Sequence, residues 1–125
     1  MPSDILVSTR KGLFTVSRGR RKSGWKVAGA DFLGDNVTLA LHDRRDGAVY
    51  AALDHGHFGV KIHRADKPGG AFTEIAVPAY PEKPADVNDV DMWGRPIPWS
   101  TVRVWALEPG GADEPGVIWC GTLPG

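Results

Sequence analysis

The chain has 125 residues, enough for one domain with a real core, and its 15 basic and 15 acidic side chains cancel. That balance excludes the one-signed field by which proteins hold nucleic acid or an anionic membrane. The 16 glycines and 10 prolines fall between short apolar runs, the punctuation of an all-β protein, and a single cysteine excludes any internal disulfide.

Met1-Pro2-Ser3-Asp4 lacks the basic start and apolar run of a signal peptide. No stretch approaches the ~20 apolar residues of a membrane span, so a soluble, cytoplasmic protein is expected. Strands are predicted by β-branched and aromatic enrichment between turn signals. The first three are Ile5–Ser8, Leu13–Ser17 and Trp25–Ala28. Val37–His42 follows and is joined to Val49–Asp54 by Asp43-Arg44-Arg45-Asp46-Gly47, whose Asp-Gly favours a tight hairpin. Val60–Arg64 turns through Lys67-Pro68-Gly69-Gly70 into Phe72–Ile75. After a long proline-rich segment, Ala76–Ser100, come Thr101–Leu107 and Val117–Gly121. No segment carries a helical period. Cys120 lies within the last strand and reads as an inert, buried thiol.

These strands repeat. Val37–Ile75 is a complete four-stranded meander. Thr101–Gly121 repeats its first two strands, with Thr38-Leu39-Ala40-Leu41-His42-Asp43 answered by Val104-Trp105-Ala106-Leu107-Glu108. Ile5–Ala28 repeats its last three, with Arg18 laid on Arg64 and Val16 on Ile62. Four-stranded meanders repeated around an axis are propeller blades. The expected fold is therefore all-β: a partial β-propeller of four-stranded antiparallel blades arranged as three + four + two strands. It divides into a partial blade (1–30), a complete blade (36–76), a loop insertion (76–100) and a partial blade (101–125), within one incomplete domain, 1–125. Such a stack would expose apolar flanks, so the expected partners include missing blades, or other copies through self-association at exposed blade edges.

Three stretches carry a family resemblance: Leu6-Val7-Ser8-Thr9-Arg10-Lys11-Gly12-Leu13-Phe14, Leu53-Asp54-His55-Gly56-His57-Phe58-Gly59 and Trp119-Cys120-Gly121-Thr122-Leu123-Pro124-Gly125. Together they resemble the N-terminal portion of the Asp-box, or BNR-repeat, sialidase-like propellers. The Asp-box of that family reads Ser/Thr-x-Asp-x-Gly-x-x-Trp. Here the turn from Arg64 to Phe72 has Asp66 in place, one extra residue and Phe72 for Trp, while the turn from Ser17 to Trp25 keeps Ser and Trp but has no Asp. The resemblance implies that Asp66 is a structural turn-former whose carboxylate caps backbone amides.

The resemblance also implies a ligand face built from the loops between second and third strands and those between blades. On it would lie Arg10, Lys11, Asp54, His55, His57, Trp93 and Arg95. Asp54-His55-Gly56-His57 has two readings. It could set two imidazoles on one side of a loop beside a carboxylate, with His55 and His57 as candidate metal ligands, or it could be a turn whose histidines bond to neighbouring loops. Arg95-Pro96-Ile97-Pro98 resembles the family's Arg-Ile-Pro element, but follows the box-like turn and carries an extra proline. Sialidase chemistry needs an arginine cluster, a Tyr/Glu nucleophile pair and an acid/base Asp, which no spacing here provides. The expectation is a binding or scaffold module for a carbohydrate or other small ligand, with no catalytic residue, cofactor or metal. The alternative is a glycoside-hydrolase (exo-sialidase)-like enzyme whose remaining blades lie outside this chain.

Overall fold

A computed structural model describes residues 3–19 and 24–124. Residues 20–23 of the Ser17–Trp25 turn, and Gly125, lie outside the described residues. Among the described residues nine strands follow one another: β1 (Ser3–Thr9), β2 (Gly12–Arg18), β3 (Trp25–Asp31), β4 (Asn36–His42), β5 (Val49–Asp54), β6 (Val60–Ala65), β7 (Thr73–Ile75), β8 (Arg103–Pro109) and β9 (Ile118–Leu123). A single 3-10 turn, Gly56–Phe58, is the only helical element among the described residues. All pairings between strands are antiparallel. They form sheets of order β1-β2-β3, β4-β5-β6-β7 and β8-β9, so only the central sheet has four strands.

The central sheet is covered on both faces, as the composition of β5 requires. Val49 to Leu53 is an unbroken apolar run, all of it buried. A half-buried strand alternates apolar and polar residues, whereas a strand between two layers does not. Ala51 and Leu53 point to one side, where they pack with Val37 against Leu13 and Leu6 of the first sheet. Tyr50 and Ala52 point to the other, where with Ile62 they meet Val104 and Leu107 of the third. Two cores thus lie between three face-packed sheets.

The strand bounds shift where side chains are drawn elsewhere. β7 starts at Thr73 rather than Phe72, whose ring packs on Phe32 with centroids 4.9 Å apart. β8 starts at Arg103, because the Thr101 hydroxyl donates to the Pro78 carbonyl at 2.6 Å and belongs to the insertion. The repeat itself is displaced by one residue. Register slips at Thr38 in β4 and at Trp105 in β8 place bulges at equivalent points. Both hairpins close with matching bonds, Asp43 N to Ala48 O and Gly110 N to Val117 O. Val104 therefore answers Val37 rather than Thr38, and Gly110 answers Asp43.

Gly12 fixes the entry to β2. Its φ is 136°, and a Cβ there would stand 3.0 Å from the Asp31 carbonyl oxygen and 3.3 Å from that of Phe32. Gly12→Ala is expected to lose about 1–3 kcal/mol of stability through backbone strain and this clash. Urea unfolding would measure it.

Candidate functional site

The ends of β1, β4 and β8 meet at one cleft of about 480 Å³, lined by Ser8, Thr9, Arg10, Asn36, Val37, Thr38, Arg103, Val104 and Trp105. These strands lie side by side in space, β1 against β4 and β4 against β8. Their apolar residues Val37 and Val104 form the floor because they are also core. Around the rim stand two guanidinium groups, two serine or threonine hydroxyls from β1, the Thr38 hydroxyl and an asparagine amide. Among the described residues, no carboxylate, tyrosine or histidine lines it.

Each wall is held locally. The Thr9 hydroxyl donates to the Gly12 carbonyl at 2.8 Å and accepts from the Lys11 amide at 3.0 Å, a tight side-chain turn that presents Arg10. Gly34 N bonds to Lys11 O at 3.0 Å, docking the loop after β3 on this turn. Arg103 Nη2 lies 3.8 Å from Asp54 Oδ2, while Asp54 Oδ1 accepts from the Gly56 amide at 3.1 Å. Trp105 donates from Nε1 to the Thr122 carbonyl at 3.0 Å, which locks its indole over the β8-β9 hairpin.

Of the sequence-predicted site residues, the cleft takes Arg10 directly and Asp54 through its pairing with Arg103. Lys11 is exposed on the same turn but is not among the lining residues. The two loop histidines part company. His55 Nε2 approaches Asp35 Oδ2 at 3.6 Å and makes no hydrogen bond, whereas His57 is exposed and stacks edge-on against Phe58. No three His, Cys, Asp or Glu side chains converge in a metal-holding group among the described residues. His63, on β6, packs against Phe32 with its Nδ1 buried and unbonded, and burial pushes its pKa down.

Trp93 and Arg95 form a separate cluster on the 76–100 insertion. Asp91 Oδ1 accepts from the Trp93 and Arg95 amides at 2.8 and 3.0 Å, and its Oδ2 from Arg95 Nε at 2.8 Å. The amide of Arg95 is the main reason the Asp91 pKa is lowered. The Arg95 guanidinium lies 4.9 Å from the Trp93 ring centre, a cation–π contact. Lys83 Nζ donates to the Asp89 and Ile97 carbonyls at 3.2 and 3.1 Å, and the Trp99 indole donates to Asp89 Oδ2 at 3.1 Å. The insertion is thus internally bonded.

Asp66 is exposed, and its carboxylate accepts from Arg64 Nη1. The turn beyond it closes through the backbone, Gly70 N to Lys67 O at 3.0 Å. The thiol of Cys120 is half-buried against the second core, and burial raises its pKa, which keeps it protonated.

Sequence reasoning passed over Arg103, Trp105, Asn36 and Thr38. Their signal was the repeat: these are the opening residues of two equivalent strands, so they emerge at the same end of adjacent sheets. Among the described residues no helix is long and apolar enough to cross a membrane. The chain matches no family model and no curated protein.

Proposed function

We propose that this chain is a β-propeller unit of the Asp-box type that serves as a binding or scaffold module, taking a carbohydrate or other small polar ligand in the cleft at the ends of β1, β4 and β8. The observation that carries this reading is the cleft's composition. Two arginines, the Asn36 amide and the Ser8 hydroxyl offer donors around an apolar floor with one indole at the side, while the Thr9 and Thr38 hydroxyls donate to backbone carbonyls, which suits a ligand rich in hydroxyl or oxyanion acceptors. Face-stacked antiparallel sheets with the ends of β1, β4 and β8 gathered at one cleft support the propeller form.

Binding is favoured over catalysis because the described residues that line the cleft offer two guanidinium groups, hydroxyls and an amide, and among them no carboxylate, imidazole or thiol to serve as general acid, general base or nucleophile near neutral pH. The test is a titration with neutral and acidic monosaccharides followed by tryptophan fluorescence, since Trp105 borders the cleft. At least one sugar is expected to change the emission. Trp105→Phe should abolish that change, and Arg10→Ala or Arg103→Ala should weaken binding about tenfold. No response from any sugar would overturn the reading, and release of product from a glycoside would transfer it to the hydrolase alternative.

A further inference from the structure

Among the described residues, two buried side-chain polar atoms make no hydrogen bond, Nε2 of His55 and Nδ1 of His63. Buried polar groups are almost always paired, so each exception calls for a reason. Both meet the same short loop, residues 32–35, between β3 and β4. His63 stands edge-on to the Phe32 ring, with centroids 4.9 Å apart. His55 Nε2 faces Asp35 Oδ2 at 3.6 Å, just outside hydrogen-bond reach.

The loop is held closed against its own backbone. Phe32 has a φ of 55°, in the left-handed region that an aromatic residue rarely adopts without compensation. The compensation is packing, since the ring sits half-buried at the edge of the first core and touches both His63 and Phe72. Asp35 N donates to Phe32 O at 2.9 Å and Gly34 N to Lys11 O at 3.0 Å, so the seat of Phe32 steadies the turn that presents Arg10. Asn36, the next residue, lines the cleft.

A proton on His63 works against that seat. Neutral imidazole carries one N–H and can leave Nδ1 bare. The imidazolium carries an N–H on both nitrogens, one of them buried with no acceptor. Charges of both signs surround the ring. Glu74 lies opposite it on β7 and pairs at 3.0 Å with Lys61 of its own strand, while Asp35 and His55 act on it from the loop and the 3-10 turn. Burial outweighs them and pushes the His63 pKa below its ordinary 6.5. β6 is bonded to β5 and β7 and cannot move aside. Phe32 can, and its departure relaxes the strained backbone and opens the imidazole to water.

We propose that loop 32–35 is a proton-operated latch on the cleft, closed while His63 is neutral and released at its Phe32 end when His63 is protonated. At the other end, a protonated His55 presents an N–H to the Asp35 carboxylate and keeps the loop tethered. The closed form is favoured above the ordinary histidine pKa of 6.5 and loses ground as pH falls below it. Release loosens Arg10 and Asn36, so ligand affinity falls in acid, a consequence that rests on the binding reading of the cleft above.

Hydrogen exchange on the full chain, corrected for intrinsic rates, tests the latch without any ligand. Protection of the Gly34 and Asp35 amides should fall roughly fivefold from about pH 7.5 to about pH 5, while the amides of β5 keep theirs. His63→Phe keeps a ring against Phe32 and removes the titrating group, so its protection should be the same at both pH values. Should circular dichroism show that variant misfolded, the unmodified chain decides. Its His63 imidazole and Phe32 ring signals in NMR should shift together, with one midpoint below 6.5. Protection at Gly34 that ignores pH, an acid loss that persists in a folded His63→Phe, or Phe32 signals that do not follow His63 would overturn the inference. Each of these is read without sugar, so the latch and the binding reading fail separately.

Discussion

Arg45→Ala is expected to destabilise the protein on the scale of truncating a core leucine, although the arginine sits in a surface turn. The reason is the number of partners one guanidinium holds. Its Nε and Nη2 donate to the Asp43 carboxylate at 3.0 and 2.7 Å. Nη1 donates to the carbonyls of Gly110 and Glu114 at 2.9 Å and of Gly111 at 3.2 Å, and Nη2 reaches the Val117 carbonyl at 2.8 Å. All four carbonyls belong to the β8-β9 connection, so one side chain staples the central sheet to the third. Removing it takes one donor from each of these carbonyls, leaving Gly111, Glu114 and Val117 only their backbone bonds, and leaves Asp43, 1% exposed, as a carboxylate without its cation. Arg45→Lys keeps the charge but not the fork of donors, and should recover only part of the loss. Hydrogen exchange should show protection lost first at Gly110 and Val117.

The same pair sets a pH dependence. The Arg45 guanidinium bonded to Asp43 lowers that carboxyl from an ordinary 3.8 to about 2, and Asp43 in turn raises the Arg45 pKa. Because the folded value is depressed, the stabilisation is complete above the unfolded pKa and is lost as pH falls from about 4 toward 2. Asp43→Asn removes the titrating group. The stability gap between native chain and variant should therefore be widest above pH 4 and narrow steadily below it, as acid and urea unfolding would measure. A gap independent of pH would assign the staple to shape alone.

What the sequence made legible follows from what its pattern encodes. Alternation and turn residues report strands, so the division into three, four and two strands, the hairpin at Asp43–Gly47 and the antiparallel order are read directly. Bulges are not encoded that way. Thr38 and Trp105 are ordinary strand residues, and nothing in their type announces the extra residue that shifts the repeat by one. The staple was hidden for a different reason: Arg45 binds backbone carbonyls far along the chain, and carbonyls have no sequence signature. At the cleft, Arg10 was visible because a turn between strands displays it. Arg103 and Trp105 read as strand interior, and only their position at the opening of a repeated strand places them at the mouth. Trp93 and Arg95 were visible as residue types, but Asp91 binds both into the insertion's own turn, away from the cleft lining.

Leu53→Ala should cost about 2–5 kcal/mol, which is a large share of the ~5–15 kcal/mol that holds a domain of this size. Leu53 is fully buried in the one strand covered on both faces, and it packs with Val37 and Ala51 against Leu13 of the first sheet. Its neighbours limit how far the hole can close. Ala51 and Ala52 already bring the sheets near, and β5 is bonded on one side to β4 and on the other to β6. A strand so fixed relaxes little, which puts the expected loss in the upper half of that range. Leu53→Met preserves volume and should lose less than about 1.5 kcal/mol. Leu13→Ala removes the facing side of the same contact, so the double variant should lose less than the sum of the two single losses. Urea midpoints for the four chains would measure this coupling. Strict additivity would mean that the first sheet does not pack on the central one through these two leucines.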